Sequence, residues 1–175
     1  MRKTFTYRLY PTKEQRRLLE HQLEECRWLY NRLLEARQRA WEERQESVGL
    51  SDQQAMLPVL KAERPTRTRV QSQVLQHVAV RIDLAFQAFF RRCKAGETPG
   101  YPRFRGQGRY ASFTFPQVPV GCHLDGEAKR LRVMHVGLVK LILHRPLDGP
   151  PKTATISRRR TGKWYVCFSL SLIHI

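Results

Sequence analysis

Apolar positions along this chain recur first with period two, then with the helical period, then with period two again. That order alone predicts strand, helices and strands. Lys3 to Leu9 alternate, with Phe5, Tyr7 and Leu9 on one face and Thr4, Thr6 and Arg8 on the other, as in a half-buried strand. From Pro11 the period changes. Thr12 followed by Gln15 predicts a capping box at a helix start, and Leu19, Leu23, Cys26, Tyr30 and Leu33 form the stripe of a long helix running to about Glu46 and closed by Gly49. Ser51 reads as the cap of a short second helix, stopped or kinked near Pro58 and ended before Pro65. Val70, Val74, Val78, Ile82, Ala85, Phe86, Phe89 and Phe90 then mark a core helix of about six turns that should pack on the first. Arg91, Arg92 and Lys94 fall at its carbonyl end, where the dipole favours cations, and Gly96 supplies the C-cap.

After Arg105, Gly106, Gly108 and Gly121 break the helical period and short alternating runs take over. Tyr110 to Phe115 predicts a strand with Phe113 and Phe115 on one face and Ser112 and Thr114 on the other. Leu131 to Met134 and Val136 to Leu143 predict two more. Lys152 to Arg159 and Lys163 to Leu170 flank Thr161-Gly162 as a hairpin. With the N-terminal strand these make an α+β chain whose strands suit a small β-barrel split by an inserted helical segment.

Charge then narrows the class of partner. The chain carries 32 Lys and Arg against 15 Asp and Glu, a formal net charge of +17, so a polyanion is the expected partner. Between Lys13 and Glu46 eight basic residues balance eight acidic ones, so the excess lies elsewhere and the first helix reads as a solvated bundle element. Gly100-Tyr101-Pro102-Arg103-Phe104-Arg105 sets two guanidinium groups on either side of an aromatic ring, suited to a phosphate backbone. Arg158, Arg159, Arg160 and Lys163 cluster at a hairpin tip beside Trp164. By the split-barrel reading they share a face with Arg8, Arg103, Arg105 and Arg109, giving a groove that is positive throughout. The Pro65 to Arg69 linker reads equally as a solvated connector or a phosphate contact. Gln73 and Gln76 open the third helix as polar residues able to reach base edges.

Metal-dependent phosphodiester cleavage needs two or three convergent carboxylates, whereas only Asp125, Glu127 and Asp148 follow Ala111. No Ser-His-Asp order, P-loop, glycine-rich dinucleotide loop or His-x-His pair is present, and no catalytic residue is assigned. The four cysteines, Cys26, Cys93, Cys122 and Cys167, form no C-x-x-C pair and read as buried thiols in a reducing cytosol, with no zinc. His21 and His77 read as helix-surface residues. With no leader and no apolar run of membrane length, a cytoplasmic location is expected.

Four segments carry a family resemblance. TFTYRLYPTKEQ, CRWLYNRLL, LQHVAVRIDLAFQAFF and GYPRFR resemble, in order and spacing, the TnpB (OrfB) family of insertion-sequence proteins, over nearly the whole chain to about Leu170. The resemblance implies the front part of an RNA-guided DNA endonuclease, long termed a transposase, that grips a noncoding guide RNA and a double-stranded DNA target. It implies an OB-like wedge barrel in residues 1–11 and 97–170, split by a helical recognition lobe in 12–96. Gln76 matches a base-reading glutamine that faces the duplex motif flanking the target, and Ser112 falls near a second motif-facing position. The RuvC-type nuclease, its divalent metals and a zinc insert would lie beyond this sequence, so no cofactor is expected here. Residues 171–175 depart from the pattern, and a truncated chain exposing Ile173 and Ile175 is expected. A separate RuvC-containing chain acting in trans, and a nuclease-free RNA-guided repressor, are the competing readings. A helix-turn-helix over residues 12–48 is disfavoured by the uninterrupted Leu19 to Leu33 stripe and its zero net charge.

Overall fold

A computed structural model describes residues 2–171, so the expected exposure of Ile173 and Ile175 lies outside the described residues. Strand β1 (Arg2–Tyr10) leads into helices α1 (Lys13–Arg44) and α2 (Leu50–Glu63), a 3-10 turn (Pro65–Arg69) and α3 (Ser72–Lys94). Six further strands follow: β2 (Ser112–Phe115), β3 (Cys122–Asp125), β4 (Arg130–Val133), β5 (Gly137–Leu141), β6 (Pro151–Arg158) and β7 (Trp164–Ser171). The fold is α+β.

The sheet is antiparallel in the order β2-β6-β7-β1-β5-β4-β3. β1 therefore lies in its middle, paired with β7 from Arg2↔Ser171 to Leu9↔Trp164 and with β5 at Leu9↔Leu141 and Tyr10↔Lys140. Its alternation buries Phe5, Tyr7 and Leu9 against Trp164, Val166, Phe168, Val139 and Leu141. The two edge strands, β2 and β3, are consecutive in sequence, so the short 116–121 connector draws the ends of the sheet together into a barrel-like curl. Gly121 makes this approach possible. Its φ is +76°, and a Cβ there would sit 3.0 Å from Gln71 Cγ and 3.1 Å from Phe115 Cδ1.

β3 has no clear sequence signal, because Cys122-His123-Leu124-Asp125 offers too few apolar residues to show a period. Its pairing with β4 orders it.

α1 starts as its capping box predicts: Thr12 Oγ1 accepts the Gln15 N–H and Gln15 Oε1 accepts the Thr12 N–H. It ends earlier than Gly49, at Gln45, which takes a left-handed conformation (φ 54°) and donates its backbone N–H and Nε2 to the Trp41 carbonyl. Gly49 instead caps α2, with Asp52 Oδ2 accepting its N–H, so Ser51 lies inside that helix. Pro58 does not stop α2, because its ring faces solvent and tertiary contacts at Leu57 and Leu60 hold both halves.

One arginine ties the three helices. Arg37, on α1, donates Nε to Gln53 Oε1 at 2.7 Å and Nη2 to Asp83 Oδ1 at 2.9 Å, while Gln53 Nε2 donates to the Leu33 carbonyl at 2.7 Å. Because the cluster is nearly dry, each charge-assisted bond contributes about 1.5–3 kcal/mol, and removing one partner strands the others. The helices and sheet share one apolar core, with Leu23, Cys26, Leu33, Val74 and Val78 in the same cluster as Phe113, Ile156 and Phe168. Two glutamines on α1 fasten it to the sheet: Gln15 Nε2 donates to the Leu138 carbonyl and Gln22 Nε2 to the Met134 carbonyl. Among the described residues no helix is long and apolar enough to cross a membrane.

Candidate nucleic-acid interface

The segment from Tyr101 to Ala111 contains no helix or strand, and side chains of α1 hold it in place. Asn31 Oδ1 accepts the Arg105 N–H at 2.8 Å, Asn31 Nδ2 donates to the Arg105 carbonyl at 2.9 Å, and Arg27 Nη1 donates to the same carbonyl at 3.0 Å. The Arg105 guanidinium lies 5.7 Å over the Tyr30 ring. A turn at 106–109 follows, closed by the Arg109 N–H to the Gly106 carbonyl. Gly108 supplies the positive φ (73°) at its third position.

Tyr110 then enters the core between the helices and the sheet. Its ring lies 5.8 Å from Tyr30, and Arg81 Nη1 donates to its hydroxyl at 3.3 Å. Arg81 also donates to the Ser112 carbonyl at 2.7 Å and to Thr114 Oγ1 at 2.9 Å, joining α3 to the edge strand β2. Burial pushes the Tyr110 hydroxyl up to about 12, against the opposing charge of Arg81, so it stays protonated and available as a donor.

Two clefts meet at Tyr110. One, of about 290 Å³, is lined by Tyr30, Arg81, Arg105, Arg109, Tyr110 and Ser112. The other, of about 330 Å³, is lined by Glu20, Glu24, Arg27, Gln107, Gly108 and Arg158. Helices α1 and α3, the 101–111 segment and the β6–β7 hairpin thus place five arginines, Arg27, Arg81, Arg105, Arg109 and Arg158, around one tyrosine. The second cleft departs from the expected groove of unbroken positive charge. There Glu24 pairs with Arg27, and Glu20 lies 3.5 Å from Arg158.

Of the residues singled out from sequence, Arg105, Arg109, Ser112 and Arg158 line these clefts. Arg103 and Phe104 are exposed on the same segment. Arg159, Arg160 and Lys163 are exposed at the β6–β7 tip, with Arg159 lying 4.2 Å over the Tyr165 ring. Arg8 joins that surface through the β1–β7 register, which pairs it with Tyr165. Its own guanidinium lies 4.7 Å over Tyr10. Gln73 donates Nε2 to Gln117 Oε1 at 2.9 Å, leaving its own Oε1 buried without a partner among the described residues, whereas Gln76 is exposed.

Sequence reasoning missed Arg27, Asn31 and Arg81. The partners through which they hold the segment and the edge strand lie 29 to 78 residues away along the chain, so no local spacing reveals them.

Other titratable groups are placed differently from their sequence reading. His77 is half-buried, its Nδ1 has no partner among the described residues, and burial with the nearby Arg81 charge lowers its pKa. Cys93 is exposed rather than buried and Cys167 is intermediate. Cys26 and Cys122 are buried, and desolvation pushes both thiols up to about 12. Among the described residues no three His, Cys, Asp or Glu side chains converge to hold a metal ion.

Three likenesses to known proteins bear on this geometry. A family profile described as a helix-turn-helix domain of OrfB proteins of the IS605 type matches residues 1–46. In this chain those residues form a strand and a single unbroken helix. A candidate RNA-guided DNA endonuclease of Streptomyces pristinaespiralis is 28% identical over 169 residues, covering 95% of this chain. The chain spans 40% of that relative's length. A solved chain in a Cas12f1–sgRNA–target DNA complex shares the fold at a TM-score of 0.51 and 11% identity, over 99% of this chain and 49% of the other.

Proposed function

We propose that the chain belongs to the TnpB (OrfB) family of insertion-sequence proteins and is a nucleic-acid-binding module: the front portion of an RNA-guided DNA endonuclease, holding a noncoding guide RNA and the duplex that flanks a DNA target. The observation that carries this reading is the grouping of Arg105, Arg109, Arg81, Arg27 and Arg158 around Tyr110, on four pieces of the chain remote in sequence. Arg105 and Arg109 are exposed there, and neither pairs with an acid among the described residues, so they are free to take phosphates.

In this proposal the sheet is an OB-like wedge barrel and residues 12–96 are a recognition lobe. Arg103, Phe104, Arg105, Arg109, Arg159, Arg160 and Lys163 would track the sugar–phosphate backbone. Gln76, exposed on α3, would read a base edge, and Gln73 and Ser112 would border it. The part proposed for this chain is binding and orientation.

Sequencing the RNA that co-purifies with the tagged chain tests the proposal. One discrete noncoding species is the expected result. Bulk ribosomal RNA in proportion to abundance would reduce the chain to a generic polycation and overturn the reading.

A further inference from the structure

The far ends of α1 and α3 enclose an aromatic cleft that the arginine clefts do not involve. It has a volume of about 330 Å³ and is lined by Arg37, Trp41, Phe86, Phe89, Phe90 and Tyr101, with the 46–48 loop along one side. That volume falls in the range of small-ligand clefts, roughly 300–1,000 Å³. Tyr101 meets Phe86 edge to face at 5.6 Å and Phe89 at 5.3 Å, so the rings form a built wall. Yet Trp41 is 55% exposed, Phe90 54% and Tyr101 41%. The core helix stripe thus runs past the point where its own chain covers it, which marks a contact surface.

Charge indicates what covers it. Arg92 lies three residues after Phe89 and Lys94 four after Phe90, so both fall on the same face of α3 about one turn further on. Arg103 follows Tyr101 by two residues. All three cations are exposed and pair with no acid among the described residues. On the opposite rim, Glu43 and Glu46 are occupied by Arg44, leaving Glu42 as an acid with no ion-pair partner among the described residues. The backbone groups of Ser47 and Val48 make no hydrogen bond among the described residues and border the cleft, offering donors and acceptors to a planar polar edge. A purely apolar side chain would leave those groups unused and gain nothing from the cations.

We propose that this cleft receives one unpaired nucleobase of a single-stranded segment, stacked on Trp41, Phe90 and Tyr101, with the adjoining phosphates on Arg92, Lys94 and Arg103. The inference rests on the nucleic-acid-binding reading above and adds a base-accepting site to it.

The probes are an oligouridine RNA and an abasic strand of the same length, titrated against the full chain with tryptophan emission as one readout. Trp164 is buried and Trp28 half-buried, so stacking on Trp41 dominates any quenching. The wild-type chain should bind oligouridine more tightly than the abasic strand by about 5- to 150-fold, the range for one stacked base. Trp41→Ala and Phe90→Ala should remove that preference with an unchanged salt slope, and Trp41→Phe should restore most of it. Both positions are exposed, and circular dichroism melting verifies each variant's fold. The abasic comparison needs no variant at all. Equal affinity for the two strands in the wild-type chain overturns the base site while leaving phosphate binding intact. Loss of self-association on sedimentation in Trp41→Ala, with RNA affinity unmoved, makes the cleft a protein interface and also overturns it. Failure of the wild-type chain to bind either strand at low salt would instead remove the functional reading on which the site rests.

Discussion

Asn31 is the residue on which the interface segment turns. Its amide satisfies both backbone groups of Arg105, 74 residues away, and so fixes where that guanidinium and its neighbours project. A carboxamide is the only side chain of this size that both donates and accepts in one plane. Asn31→Asp keeps the acceptor but sets a carboxylate oxygen against the Arg105 carbonyl, and Asn31→Ala loses both bonds. Each should cost about 1–2 kcal/mol of stability, since each bond nets roughly 0.5–1.5 kcal/mol. RNA affinity should fall beyond that, because the Arg103–Arg105 run is no longer held. Urea unfolding with parallel RNA titration checks this; an Asn31→Ala chain that binds RNA as tightly as wild type would show that the segment needs no clamp. At this scale the sequence was legible only where the partners are close. Thr12 and Gln15, three residues apart, announce their capping box, but nothing near Asn31 names Arg105. Cys93 follows an apolar helical spacing yet is exposed, because α3 outruns the helices that would cover it.

Among the elements, α2 diverges most from its pattern. A proline in mid-sequence argues for a stop, but helix propensity is a weak prior beside tertiary packing. Leu57 and Leu60, on either side of Pro58, are both buried and hold the helix through it. The proline still deletes one backbone donor and crowds the preceding turn, a cost of about 3 kcal/mol in a helix interior. Unfolded-chain stiffening by proline offsets roughly 0.4–1 kcal/mol of it. Because Pro58 is exposed, Pro58→Ala removes no core contact and should raise stability by about 2–2.6 kcal/mol, read as a higher urea midpoint at unchanged m-value. An unchanged midpoint would mean the local backbone has already relaxed around the ring. The long apolar stripes of α1 and α3 were legible as a packed pair because each repeats over many turns. β3 was not, because an edge strand of four residues needs only one ladder and shows little hydrophobic alternation.

Across the whole molecule, the charge count implies a polyanionic partner, while the fold decides which cations are free to meet one. Within α1 most arginines are matched locally: Arg17 by Glu14, Arg27 by Glu24, Arg32 by Glu35, Arg44 by Glu46. Unmatched charge lies on the 103–109 segment, the β6–β7 tip and the last turn of α3, and Arg105 and Arg109 of the first line the cleft at Tyr110. The sequence showed the excess and roughly where it lies; it could not show that Glu20 and Glu24 enter the second cleft, because only the docking of α1 on the sheet brings them there. Binding by counterion release makes the distinction measurable. If about six phosphates are neutralised, log affinity should fall against log salt with a slope near −5. Replacing Arg103, Arg105 and Arg109 together with Gln should make that slope shallower by about 2.7, at roughly 0.9 for each phosphate no longer neutralised. Arg17→Gln with Arg44→Gln, which removes two exposed but acid-paired charges, should leave the slope unchanged while altering net charge by nearly as much. Equal flattening by both sets would mean that the chain responds to its total charge, and that the clefts at Tyr110 confer no localised site.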